Sequence, residues 1–384
     1  MVSLLLAAIY LSFISLGLPD SLLGSAWPVM QGELGVPLSF AGVISTVITL
    51  GTVVSSLLSD RLTKKLGAGL VTAISTAVTA LALVGFSLTK DPLVICLLSI
   101  PYGLGAGAID AALNNYVALH FSSRHMSWLH ACWGVGVSIS PNIMSYCLSG
   151  GKGWQNGYLT VGIIQTVVAL LLFLSLPLWK KRDDEGEDSK PLLIRDAVKI
   201  KGVPFVLIAF FAFCAVEQTA GLWTATYLVD HRGLGAETAA MFASLFYIGE
   251  TVGRFLSGFI ADKVGDRNMV RGGTLVMFLG AVMIALPFFD GVLSLAGLLI
   301  LGLGAAPVYP CIIHSTPRNF GRENSQALVG IQMATAYIGI TVAPPLFGLI
   351  AQYVSVALYP YYLFIFTMLQ FVMTELLARA CSDK

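Results

Sequence analysis

Five ionisable side chains stand inside long apolar stretches of this sequence: Asp20, Asp110, Glu217, Glu250 and Arg254. A sixth, Glu375, lies near the end of the last stretch, from which it can snorkel to the surface. A charge in hydrocarbon is costly, so each such residue is by default a candidate for binding or carrying an ion. Removal from water penalises the charged form of a carboxyl, which can then bind and release H+ near neutral pH. Asp110 and Asn114 are four residues apart and share one helix face. A hydrogen-bond knot between helices is the alternative reading of that pair. Glu250 and Arg254 are also four apart in the favourable acid-first order, which makes an internal, gating ion pair as reasonable as a substrate contact. Glu217, beside Gln218, is either a cavity-facing acid or a packed one. His130 titrates near neutral pH and is a lesser coupling candidate, the alternative being a core histidine bonded to a backbone carbonyl.

These residues need helices to hold them. Of the 384 residues, 56% are hydrophobic and 11% charged, less than half the charge of a soluble domain. A water-soluble enzyme is excluded, and the net charge of +1 gives no support for nucleic-acid binding. The apolar runs predict twelve membrane helices: 4–30, 39–59, 69–89, 92–119, 127–149 and 157–179, then 204–229, 238–261, 270–289, 291–315, 325–350 and 355–378. The fold class is therefore all-α and integral to the membrane. A polar stretch, 180–203, containing KKRDDEGEDSK, separates an N-terminal bundle (1–179) from a C-terminal one (204–384) and reads as a tether. Of the 22 Lys and Arg residues, 18 fall in one set of loops; Lys90, Lys152 and Arg232 fall in the other. Positive loops stay in the cytoplasm, which places both termini and the linker there. The first stretch reads as a helix rather than a cleaved signal. The six cysteines have no paired spacing and read as buried thiols, so neither a disulfide nor a metal framework is expected.

The two halves repeat. Gly51, Ser55 and Asp60 match Gly253, Ser257 and Asp262 at an offset of 202 residues. GLGAGAID from Gly103 matches GLGAAPVY from Gly302 at 199, and Gly136 and Pro141 match Gly339 and Pro344 at 203. Parallel six-helix repeats are a transporter architecture, with the solute site near mid-bilayer between them.

The chain resembles the major facilitator superfamily. That family's loop motif, Gly-x-x-x-Asp-Arg/Lys-x-Gly-x-Arg/Lys, stands as Gly258, Asp262, Lys263, Gly265 and Arg267. The first-half copy keeps Asp60, Arg61 and Lys64, with Ser56 and Thr63 in place of its glycines. The resemblance implies a charge latch at helix ends that holds the outward-facing state.

Helix four also resembles the fucose/glucose–galactose permease branch, through Gly107, Asp110 and Asn114. There the acid one turn before an Asn binds sugar and couples protons. PDSLLGSAWP from Pro19 supplies Asp20 as that branch's first-helix proton group, although packing beside Pro19 is its plainer alternative. Leu129, His130, Gly134, Gly136 and Pro141 resemble its fifth-helix pattern.

This implies proton-coupled sugar symport by alternating access, with Asp20, Asp110 and Glu217 as proton-coupling candidates. A sugar needs donors and acceptors around its ring and an aromatic face against its C–H surface. Asn114, Asn115, His130, Gln218, Gln332 and Asn142 offer the first; Trp133, Trp223, Tyr227 and Tyr337 offer the second, or serve helix packing and interface belts. Asp60, Arg61, Glu250, Arg254, Gly258, Asp262, Lys263 and Arg267 form the expected gate. The expected partners are a small solute, H+ or Na+, and the lipid of a plasma (inner) membrane, with no nucleic acid, no cofactor, and a monomer as the working unit. A proton-driven drug or metabolite exporter is the rival: its fifth-helix motif keeps Gly136 and Pro141 but has Ser140, Met144 and Ser145 where glycines belong. A ligand-sensing receptor is a third reading. No nucleotide loop or nucleophile–base set points to an enzyme.

Overall fold

Apolar runs of this length close all their backbone hydrogen bonds within one segment, and in lipid that means helices. The computed structural model describes residues 2–37, 40–179, 192–234, 236–286 and 292–381, and among these there is no strand. The first half contains α1 (Val2–Gly17), α2 (Leu22–Leu34), α3 (Phe40–Leu66), α4 (Ala68–Ser87), α5 (Pro92–His120), α6 (Ser123–Ser149) and α7 (Gly153–Ser175). Short α8 (Ile194–Ala197) precedes α9 (Val203–Asp230), α10 (Ala236–Val264), α11 (Asp266–Ala285) and α12 (Val292–Ala305). Then follow α13 (Val308–His314), α14 (Thr316–Phe320), α15 (Arg322–Tyr353) and α16 (Tyr359–Cys381). The first half of the expected linker, 180–191, lies outside the described residues.

Ten segments are long and apolar enough to cross a membrane. The remaining two long helices are α6 and α10, the fifth and eighth predicted segments. They fall short in hydropathy because they carry Arg124, His125 and His130, and Glu250, Arg254 and Asp262 respectively. With them the twelve-helix arrangement is complete.

The first and tenth segments are each broken in two. Pro19 has no N–H to continue the ladder, and a turn over residues 18–21 separates α1 from α2. Pro307 stands between α12 and α13 in the same way.

The repeat seen in the sequence is a repeat of packing. A Cβ on Gly103 of α5 would lie 2.1 Å from the Ile48 carbonyl of α3, and one on Gly302 of α12 would lie 2.0 Å from the Phe246 carbonyl of α10. Each GLGA stretch thus presses one helix against the backbone of another, as small residues do in membrane bundles. The turn between α10 and α11 rests on Gly265 at φ 81°, and the turn between α3 and α4 on Gly67 at φ 78°. The first-half turn therefore comes one helical turn later than the Thr63 position, because α3 runs on to Leu66.

Two compact units are distinguishable: Met1–Tyr116 with Leu129–Leu192, and Val117–Trp128 with Leu193–Lys384. The first has a buried core of Leu22, Trp27 and Met30 from α2, Phe86 from α4, and Trp154 and Tyr158 from α7.

Candidate functional site

In the first unit the break between α1 and α2 presents Asp20. Its Oδ2 accepts the indole N–H of Trp133 (α6) at 2.8 Å, and its Oδ1 accepts the Tyr102 hydroxyl (α5) at 3.5 Å, the outer edge of a hydrogen bond. Asp20 is exposed and has no ion-pair partner among the described residues. The break is pinned to α6 by chemistry visible in the sequence. Pro141 cannot donate to the Val137 carbonyl four residues before it, and the Ser21 hydroxyl donates there instead, at 2.7 Å. Ser21 also bonds Ser140 at 2.7 Å. Above this, α1 and α6 touch backbone to backbone: a Cβ on Gly17 would sit 2.2 Å from the Trp133 carbonyl, and one on Gly136 2.1 Å from that of Ile14.

A second cluster lies on α5 and α6. The Asn114 amide donates to Asp110 Oδ1 at 2.7 Å, and Asn114 Oδ1 lies 3.0 Å from His130 Nε2. With the amide so oriented, His130 Nε2 carries the proton and donates it. Asp110, Asn114, Asn115 and His130 are all buried, and Phe13 stands edge-on to the His130 ring at 5.5 Å. Trp133, which donates to Asp20, and His130, which meets Asn114, are three residues apart on α6, so the two clusters adjoin on one helix face. The structure thus brings together Asp20, Trp133, Asp110, Asn114 and His130 within one unit. Tyr102, two turns before Asp110 on α5, is not distinguished by the sequence, because only small and apolar residues separate the two.

In the second unit the acids meet a cation. Arg254 bonds Glu250 at 2.6 Å and Glu217 at 3.0 Å, with all three residues buried. The expected Glu250–Arg254 pair is therefore part of a triad that includes Glu217. Gln332 is fully buried and accepts the Thr316 hydroxyl at 3.1 Å. Gln218 and Tyr337 are half-buried on α9 and α15. The Trp223 indole donates to the Pro344 carbonyl at 2.9 Å and its ring meets Phe347 edge-on, contacts that serve helix packing.

The motif loop is also occupied. Asp262 accepts the Arg124 backbone N–H and the Ser122 hydroxyl, each at 3.0 Å, which places a carboxylate at the N-terminus of α6 where the helix dipole favours it. Asp266 accepts Ser123 at 2.6 Å and faces His314 Nδ1 at 2.9 Å, and His314 Nε2 lies 3.0 Å from the Phe121 carbonyl. Gly258 leaves room for Trp128, whose indole would lie 2.2 Å from a Cβ there. Lys263 and Arg267 are exposed. Asp60 pairs with Lys64 at 2.9 Å, while Arg61 is exposed. Ser122, Ser123, Asp266 and His314 went unremarked in the sequence because their partners are distant along the chain.

The sequence profile of the Major Facilitator Superfamily matches residues 9–344. An uncharacterised MFS-type transporter of Yersinia pestis is 25% identical over 347 residues, covering 87% of this chain and 86% of that one. The hexuronate transporter of Bacillus subtilis is 23% identical over 309 residues, covering 75% and 71%. Among solved structures, the E. coli fucose:proton symporter FucP superposes with a TM-score of 0.81 at 15% identity over 98% of both chains, a likeness of fold.

Proposed function

The chain belongs to the Major Facilitator Superfamily, a family of transporters, and from that premise we propose that it carries a small polar solute, a sugar, in symport with protons. The observation that carries this reading is Asp20. Its hydrogen-bond donors, Trp133 and Tyr102, are neutral, and it has no ion-pair partner among the described residues. A proton arriving at Asp20 therefore separates no ion pair. Nearby, Asp110, Asn114 and His130 form a chain of donors and acceptors that hydroxyl groups of a sugar can join or replace. His130 and Trp133 stand three residues apart on α6, so solute bound at the first bears on the donor that holds Asp20. The names of the hexuronate transporter and the fucose:proton symporter favour sugars as the class to try first.

The test is the current evoked by solutes in proteoliposomes on a solid-supported membrane, across hexoses, deoxyhexoses, hexuronates and lipophilic cations, with and without sodium. A sugar that evokes inward positive current in sodium-free buffer, lost in Asp110→Asn, supports the reading. Current only with sodium replaces the ion; silence for every sugar with a response to the cations replaces symport by export.

A further inference from the structure

The second unit has a cavity of about 240 Å³ among the ends of α11, α14 and α16, with Arg267, Arg271, Arg318, Ser315, Asn319 and Glu375 on its walls. It lies at the end of the unit where the α10–α11 turn and the C-terminal end of α16 are found, which the distribution of Lys and Arg assigns to the cytoplasm.

Its charge does not cancel. Glu375 is held by Arg271 through both carboxylate oxygens. Asp266, the other acid of the lining, is engaged by Ser123 and His314. Arg267 and Arg318 are exposed, and neither has a hydrogen-bond or ion-pair partner among the described residues. The lining as a whole holds three guanidinium groups (Arg267, Arg271 and Arg318) against two carboxylates (Asp266 and Glu375), a surplus of one positive charge, with Ser315 and Asn319 as polar neighbours. Planar, multiply donating guanidinium groups suit phosphate oxygens.

The surroundings choose the source of the phosphate. Below the Arg271–Glu375 pair, α11 and α16 continue side by side into the apolar zone. The Phe278 ring lies tilted to that of Phe364 at 5.1 Å and edge-on to that of Phe371 at 6.1 Å. Leu275, Leu279, Met368 and Val372 on the same two helices are exposed. A basic pocket that opens onto an apolar helix surface is the arrangement that anionic lipid headgroups occupy in membrane proteins. We infer that this cavity binds the phosphate headgroup of an anionic phospholipid from the leaflet on that side, with its acyl chains along α11 and α16. This inference does not depend on what the protein transports.

The experiment measures lipid retention by native mass spectrometry, and thermal unfolding in nanodiscs of phosphatidylcholine with or without phosphatidylglycerol. The wild-type protein should retain phosphatidylglycerol and be stabilised by it. Arg267→Gln with Arg318→Gln should weaken retention roughly thirtyfold, about fivefold for each cation. Arg267→Lys with Arg318→Lys should restore most of it, and Arg195→Gln, on exposed α8, should leave it unchanged. Equal retention by the wild type and the Gln variant overturns the site. Stabilisation by inorganic phosphate alone, equal to that by the lipid, overturns the lipid as the occupant. A loss of stability in the Gln variant that is the same in both membranes also overturns it, and points to the chain's own acidic run at 183–188.

Discussion

Asp20 and Glu217 hold matching places in the two repeats and have opposite surroundings. Each lies six residues after the residue whose carbonyl faces a close-packed glycine, Ile14 against Gly136 and Phe211 against Gly339. Asp20 meets an indole N–H and a phenol O–H, whereas Glu217 shares a buried guanidinium with Glu250. An acid tied to a buried arginine has an ion-pair partner to lose, and removing either side of such a pair is costly. An acid held by neutral dipoles has no such partner to lose. The repeat thus supplies one backbone frame twice, and the side chains set on it give one half an acid among neutral donors and the other a buried ionic network.

The comparison breaks most sharply at Arg254. Arg254→Met leaves two buried carboxylates without their cation and should cost about 3–5 kcal/mol of stability. Adding Glu217→Gln and Glu250→Gln should recover most of that loss. Thermal unfolding of the single and triple variants in detergent reads both; a triple variant no better than the single would show that the loss does not come from the stranded carboxylates.

The backbone frame is tested next. Gly136→Ala drives a Cβ to 2.1 Å from the Ile14 carbonyl, while Gly339→Ala leaves 2.8 Å to that of Phe211. The first should cost about 1–3 kcal/mol and lower the transport rate, since it displaces the helix carrying Trp133; the second should cost less. Thermal unfolding and initial uptake rates, measured on both variants, check the order.

The donors to Asp20 differ more finely. Trp133→Phe removes the 2.8 Å bond and should cost about 1.5–3 kcal/mol, as bonds to charged groups do. Tyr102→Phe removes one at 3.5 Å and should cost less than ~1 kcal/mol. Thermal unfolding ranks the two, and the reverse order would mean that Tyr102 is the main support of Asp20.

Much of this was legible in the residues. Twelve spans follow from the apolar runs, and the paired glycines announce the repeated helix crossings before any coordinates. Pro19 and Pro141 mark the break and the open carbonyl, yet that Ser21 joins them depends on α1 lying against α6, which no local pattern states. The same limit applies to Trp133 and Trp223. Both have the composition of a sugar platform, while their indole N–H groups go to Asp20 and to the Pro344 carbonyl. Glu250 and Arg254 could be paired from their spacing, but Glu217, 37 residues earlier, could not. Side chains on one helix are fixed by period; those joined across helices are fixed by packing.

The most direct test sets gradient-driven uptake against exchange in one preparation. Proteoliposomes of Asp20→Asn and Glu217→Gln are compared with wild type, first for sugar accumulation driven by an inward proton gradient, then for counterflow of labelled sugar at equal pH. The account predicts that Asp20→Asn loses accumulation down to background and keeps counterflow, while Glu217→Gln, where it folds, keeps a share of both. Full accumulation by Asp20→Asn would contradict it.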